Sequence, residues 1–489
     1  MSTKLWFIPR RGDITQKFSI FNHNPEGYGK FTSITASLIG NIVKNYKFSP
    51  RSLFWLKFAR IALEFIIKIS YNIITMAKTV YFLMLMIGGI GLFLFFTSNN
   101  NLSFSDLPIT ANQDDIIAPE VLPDPKPIDP NADIEPQKPL QNPPKTIKAI
   151  YSTAWSASSA KKIDYFINLI KETEVNAVVV DIKDYTGNLS YEADIDLVKK
   201  YNAIDVKIAK PNALIKKLHD EGIYVIARMA VFQDPALAKA RPDLALQSIS
   251  KNTTWTDYKG ISWVDQSSKE VWDYNLAIAK DALNRGFDEI NFDYIRFASD
   301  GNMSDIKYPM YNSTVATKRQ VMNGFFKYLR ENLMGAKLSA DLFGYTTLLK
   351  DDLGIGQNIE DAFPYFDYIA PMVYPSHYSK GFNGYTNPAN YPYEVVFKSM
   401  VEANRRLNEF NNSTTTLKMV NTQFRAWLQD FDLGADYDAN KIRAQIQAVY
   451  DAATTTQISI DEAGWMLWSP SNVYTKDGLL PNENTLIEN

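Results

Sequence analysis

From Lys148 onward the chain switches repeatedly between two hydrophobic periods, and this limits its fold more than any other feature. Short strand-like segments stand at KAIYST (Lys148), NAVVVDI (Asn176), YVIARM (Tyr224), EINFDYI (Glu289), LSADLF (Leu338), DYIAPMV (Asp367), LKMVNTQ (Leu417) and GWMLWS (Gly464). Between them lie amphipathic helices. In KKIDYFINLIKE, Ile163, Phe166, Ile167 and Ile170 form one helical stripe. PNALIKKLHDEG opens on Pro211 and closes on Gly222, which are helix start and stop signals. Eight strands separated by helices over residues 148–480 predict an α/β fold of the (β/α)8 TIM-barrel type. An open doubly wound sheet is the alternative, but no GxGxxG or Walker loop follows any of these strands. The longest connection, Val231 to Gln266, carries Trp255 and Trp263, and its length points to a functional loop.

Alternation within each strand sorts side chains into a helix-facing set and an interior set. Val178, Val180 and Ile182 leave Val179, Asp181 and Lys183 inside; Ala227 and Met229 leave Arg228. Ile290 and Phe292 leave Asn291 and Asp293, while Leu338, Ala340 and Leu342 leave Ser339, Asp341 and Phe343. Tyr374 follows Met372 inward, and Trp468 follows Met466. The interior set therefore collects charge near strand C-termini, where barrel enzymes hold their active sites. A structural ion-pair network is the plainer reading of Asp181, Asp293, Asp341, Lys183 and Arg228, although buried ion pairs seldom add stability over apolar packing. Crowded carboxylates beside cations also titrate apart, as a general acid and its partner require.

The N-terminal part is organised differently. Residues 1–78 hold twelve Lys or Arg against three acids, and TVYFLMLMIGGIGLFLFF, Thr79–Phe96, has no charge. Such a run can cross a hydrocarbon core of ~30 Å, and the basic flank predicts a cytoplasmic N-terminus. The expected organisation is a basic cytoplasmic segment (1–78), a signal-anchor helix (79–96), a proline-rich linker (97–147), an extracytoplasmic barrel (148–480) and a tail (481–489). The protein would thus be a single-pass protein of the cell membrane. LPDPKPIDP and EPQKPLQNPP favour extended polyproline II, so the linker reads as a semi-stiff spacer.

Composition removes several chemistries. There is no cysteine, and the three histidines (His23, His219, His377) are far apart in sequence, which argues against a zinc enzyme. A net charge of −3 gives no basic excess for nucleic acid. No metal or cofactor is expected. Aromatic residues at or just past strand ends, Trp155, Tyr185, Tyr294, Tyr374, Tyr378 and Trp468, form a candidate sugar platform. Glycoside hydrolysis by paired carboxylates suits this inventory, with retention or inversion set by their separation.

VVVDIKDYTGNLSY, GIYVIARMAVFQDPALAKARPDLAL, WVDQSSKEVWDYNLAIAKDAL, DEINFDYIRF and YIAPMVYPSHY resemble a bacterial family of glycoside-hydrolase-like TIM barrels, long catalogued as a domain of unknown function. The resemblance spans about Lys148 to Pro470. It implies Asp293, ending the fourth strand, as nucleophile or base, as in the α-amylase and α-galactosidase clans, with Asp341 as the nearest acid. Alpha-amylase-like barrels carry Glu at that place, and α-galactosidase-like ones take their acid from the sixth strand, where this chain offers Tyr374 and His377. The chitinase-like DxxDxDxE pattern is not met, since Tyr294 and Ile295 follow Asp293. Asp181 or Asp184 is the alternative acid. Lys183, Asp184, Arg228, Tyr294, Arg296, Tyr374, His377 and Trp468 are the expected substrate-binding residues. Two functions stay open: an anchored glycosidase acting on an extracytoplasmic polysaccharide, or a non-catalytic barrel that binds a glycan or partner.

Overall fold

The computed structural model describes residues 132–413 and 419–482. The basic segment, the apolar run Thr79–Phe96 and the linker up to residue 131 lie outside the described residues. Among those described, no helix is long and apolar enough to cross a membrane.

Eight parallel strands close into a barrel: β1 Lys148–Ser152, β2 Ala177–Lys183, β3 Tyr224–Ala230, β4 Glu289–Asp293, β5 Lys337–Phe343, β6 Tyr368–Met372, β7 Gln423–Gln429 and β8 Gly464–Trp468. Around them run α1 Ala160–Glu172, α2 Pro211–His219, α3 Lys269–Arg285, α4 Lys318–Asn332, α5 Ile359–Ala362, α6 Pro392–Asn412 and α7 Ala439–Thr455. The fifth helix is a single turn, and among the described residues β8 is followed by no helix longer than the one-turn 3-10 helix Lys476–Gly478. A two-residue ladder between Gln247–Ser248 and Ile306–Lys307 ties the β3–α3 connection to the β4–α4 connection.

Strand alternation is obeyed almost throughout. Val178, Val180, Ala227, Met229, Ile290, Phe292, Leu338, Ala340 and Leu342 pack outward into the strand–helix core. Tyr151, Val179, Ile226, Ala370, Tyr374, Trp427 and Met466 fill the barrel itself. With each large apolar side chain contributing ~1.5–3 kcal/mol on burial, a one-residue slip that exchanged the two faces would be heavily opposed.

The structure corrects the expected elements in three places. The seventh strand is QFRAWLQ, Gln423–Gln429, and not the segment beginning at Leu417. Its inward residues Arg425, Trp427 and Gln429 are too polar and bulky to read as a barrel interior by hydrophobicity alone. The period in β2 breaks between Asp181 and Lys183, where the pairing with β3 shifts register. Such a bulge adds a residue and re-aims the side chain after it.

The third correction is the linker. Its last part, 133–147, is fastened to the barrel. The Asp133 carboxylate accepts from the backbone N–H of Asn212 (2.7 Å) and Ala213 (3.1 Å), capping α2 where Lys210 supplies no side-chain cap. Gln137 N–H donates to the Arg285 carbonyl at 2.9 Å, and the strap passes so close that a Cβ on Gly286 would lie 2.6 Å from the Gln137 oxygen. Leu140 N–H then donates to Asp288 at 2.6 Å, and Leu140 packs against the interior cluster.

Candidate active site

Arg228 is the hub of the barrel's C-terminal end. It lies opposite Asp181 of β2 and Asn291 of β4 in the strand register, so its side chain shares the interior with theirs. Its Nη1 donates to Asp181 and its Nη2 to Asp293, while Nε stands 3.6 Å from Asp341. Three carboxylates from three strands therefore meet one guanidinium, and all four side chains are buried. Tyr151 of β1 donates its hydroxyl to Asp181. Asp341 accepts from Asn291 Nδ2 and from Trp427 Nε1, each at 2.8 Å. The rings of Tyr151 and Trp468 stack at 3.9 Å, with the Arg228 guanidinium 5.0 Å from the Trp468 ring.

One cation cannot neutralise three acids, so the site resolves the imbalance by protonation. Burial pushes Asp341 up to about 8, the Asp293 charge adds to that, and Arg228, Asn291 and Trp427 oppose it. Burial also raises Asp181, against Arg228 and the Tyr151 hydroxyl. For Arg228 burial works in the opposite sense, but Asp181 and Asp293 outweigh it and hold the guanidinium charged. At neutral pH Asp341 thus carries a proton. Desolvation and a like-charged neighbour are the causes that separate an acid from its partner in carboxylate pairs.

The backbone beside Asp293 is strained. Tyr294 has φ +53°, a left-handed conformation that is an outlier for a bulky aromatic residue and costs of order 1–3 kcal/mol. In return its N–H points back to Asp293 Oδ1 at 2.5 Å. The conformation is held by Trp263, edge-on to Tyr294 at 5.9 Å, and by Arg296, whose guanidinium lies 4.8 Å from the Trp263 ring and 4.6 Å from the Phe343 ring. Asp257, in the long β3–α3 connection, accepts from Gln233 Nε2 (3.1 Å), Trp263 Nε1 (3.2 Å) and the backbone of Lys259 and Ile261 (both 2.9 Å).

Residues 149–474 match the family model described as "Putative glycosyl hydrolase domain". The chain belongs to this family. A hypothetical protein from Ruminiclostridium thermocellum ATCC 27405 is 36% identical over 42% of this chain and 98% of its own, with a TM-score of 0.37. The glycoside hydrolase domain of PgaB (BpsB) from Bordetella bronchiseptica is 13% identical over 68% of this chain and 99% of its own, at 0.48. That of PelA from Pseudomonas aeruginosa is 10% identical over 69% and 98%, at 0.35. No curated protein matches the chain.

Within residues 149–474, the structure sorts the expected site residues by where they stand. Asp181, Asp293, Asp341, Arg228 and Trp468 come together as described. Tyr374 joins them from the end of β6, its phenol pushed up by burial and by Asp341 and Asp293. His377 stands exposed at the rim, 5.3 Å from the Tyr374 ring and 6.2 Å from Phe431. Tyr294 and Arg296 form the wall behind Asp293, and Arg296 is spent on packing and on the Phe297 carbonyl (3.0 Å) and Ser299 hydroxyl (2.9 Å).

Lys183 does not reach the site. The bulge sends it outward, where it pairs with Asp234 at 2.8 Å and donates to the Ala230 carbonyl at 2.6 Å, near Tyr274 of α3. Asp184 closes its own turn, accepting from the Thr186 N–H (2.9 Å) and hydroxyl (2.6 Å). Tyr378 leaves the mouth and meets Ser399 of α6 at 2.8 Å. Trp255 and Trp263 are buried and fold the long connection from within. Sequence reasoning missed Tyr151 and Trp427. Tyr151 was legible from the alternation in KAIYST, whereas Trp427 was hidden by the misplaced seventh strand. Among the described residues, no group of three or more His, Cys, Asp or Glu is arranged to hold a metal ion.

Proposed function

We propose that the barrel hydrolyses glycosidic bonds of a polysaccharide, with Asp341 as general acid and Asp293 as nucleophile or base. One observation supports this most: among three carboxylates gathered on Arg228, Asp341 is the one whose pKa is raised to about 8, so a protonated acid stands in the site at neutral pH with Asp293 on the same guanidinium. In the reaction the Asp341 proton passes to the leaving glycosidic oxygen as the C–O bond breaks. Asp293 attacks the anomeric carbon, or takes a proton from the attacking water, while the sugar passes through an oxocarbenium-like state. Asp181 and Tyr151 position Arg228, which in turn holds the Asp293 carboxylate beside its protonated neighbour.

The experiment is a screen of the protein against cell-wall and exopolysaccharide substrates, with Asp293→Asn and Asp341→Asn alongside. Both variants should lose turnover. Asp341→Asn should keep more activity on substrates whose leaving group departs without protonation, and equal loss on every substrate would remove its role as acid. Activity should also fall as pH rises through about 8, because the acid must be protonated to act.

We also propose that the domain is carried outside the cell membrane by the Thr79–Phe96 segment acting as an anchor, supported by the uncharged run and its basic flank. Protease added to intact cells should remove the barrel while sparing the N-terminal segment. A second reading, a barrel that binds glycan without cutting it, is favoured by the engagement of Asp181 and Asp293 with Arg228. It predicts that Asp293→Asn changes neither affinity nor any product.

A further inference from the structure

We infer that the mouth of the barrel is an open groove crossed by a glycan chain several sugars long, which is cut within the chain and not at its end. The inference rests on the proposed glycosidase reading and adds the form of the substrate.

The observation is where the exposed rings stand. Among the described residues four aromatic side chains are exposed: Trp155 (67%), Tyr185 (57%), Tyr258 (79%) and Tyr391 (40%). Every one follows the C-terminal end of a barrel strand. Trp155 comes after β1, Tyr185 after β2, Tyr258 lies in the connection after β3, and Tyr391 opens α6 after β6. None is on the outer helix faces or at the N-terminal end. Exposed aliphatic residues such as Ile134, Met334 and Ile460 show no such confinement.

The closed strand order places these rings on two sides of the mouth. β2 and β6 are four strands apart in both directions around the barrel, so they face each other across it. Trp155 and Tyr185 stand on the side of β1 and β2, while Tyr258 is carried by the long β3–α3 connection, whose Lys259 comes near His377 of the other side. On the other, Tyr391 stacks on Tyr385 at 3.9 Å with 13° between planes, and His377 and Phe431 stand beside Tyr374 after β6 and β7. The half-buried ring of Trp468, stacked on Tyr151, lies in the mouth over Arg228.

Rings with polar tips suit a ligand that offers C–H faces and hydroxyl edges together, as a sugar does. Platforms on a single rim would serve a chain end seated in a pocket. Platforms on both rims, with the carboxylates between them, serve a chain that enters on one side and leaves on the other.

The test uses affinity electrophoresis of the protein in gels holding soluble glucan, xylan, mannan or chitosan. The variants are Trp155→Ala/Tyr185→Ala on one rim and Tyr391→Ala on the other, with thermal melts confirming that each folds. At least one polymer should retard the wild type. Each rim change should weaken that retention about 3- to 10-fold, and the cleaved polymer should lose viscosity well before reducing ends accumulate. Retention by none of the four polymers, or retention indifferent to both rims, overturns the groove, as does release of single sugars from chain ends. Retention that depends on both rims with no hydrolysis keeps the groove and removes the glycosidase reading. Single-sugar release does the reverse.

Discussion

Among the described residues, two ionic groups lie buried inside the barrel, and they differ in one respect. Near the N-terminal end Glu289 of β4 meets Arg425 of β7, one carboxylate to one guanidinium, with Tyr224 adding a hydroxyl at 3.2 Å and the Tyr368 ring 4.2 Å from Arg425. At the C-terminal end Arg228 faces Asp181, Asp293 and Asp341. Both groups lie in the same interior, walled by the same strands. The matched pair neutralises itself. The mismatched group must hold a proton, and the structure places it on the most enclosed acid, Asp341. Burial alone therefore does not decide which group holds a proton; the count of charges within the burial does.

The largest expected effect separates the two groups by function. Asp293→Asn should lower kcat by ~10²–10⁴-fold with little change in melting temperature. At the other end Glu289→Gln leaves the Arg425 charge uncompensated and should cost ~3–5 kcal/mol in denaturant unfolding, while the rate per folded molecule stays the same. An equal loss of activity in the two variants would abolish the distinction.

A smaller effect has a sign that can be worked out. Asp341 has a folded pKa above its unfolded value, so its contribution is full below about pH 4 and is lost as pH rises towards about 8. Wild type should therefore lose stability relative to Asp341→Asn across that window, by at most about 1.4 kcal/mol per pH unit. A difference that does not change with pH would mean that Asp341 ionises as an ordinary carboxylate.

Much of this contrast was legible in the sequence because it depends on period two. Asp181, Arg228, Asp293 and Asp341 each sit on the opposite face from a run of Val, Ile, Leu, Phe or Ala, and the barrel put them together as alternation required. The same rule placed Lys183 wrongly, because a bulge inserts one residue and no hydrophobic pattern announces it. Arg425 and Trp427 were missed for a related reason. QFRAWLQ hides a polar barrel interior behind a pattern that reads as surface. The strained Tyr294 could not be foreseen either, since its φ is imposed by Trp263 and Arg296, brought in from a loop and from two residues on. Asp184 shows the limit of residue type as a guide, for its carboxylate is consumed by the turn that contains it.

The most direct measurement is an infrared titration of the buried carboxyl groups in wild type and Asp341→Asn. The account predicts one protonated-carboxyl band that persists at pH 7, disappears around pH 8 and is missing from the variant. Loss of all such bands by pH 6, or the same band in Asp341→Asn, would contradict it.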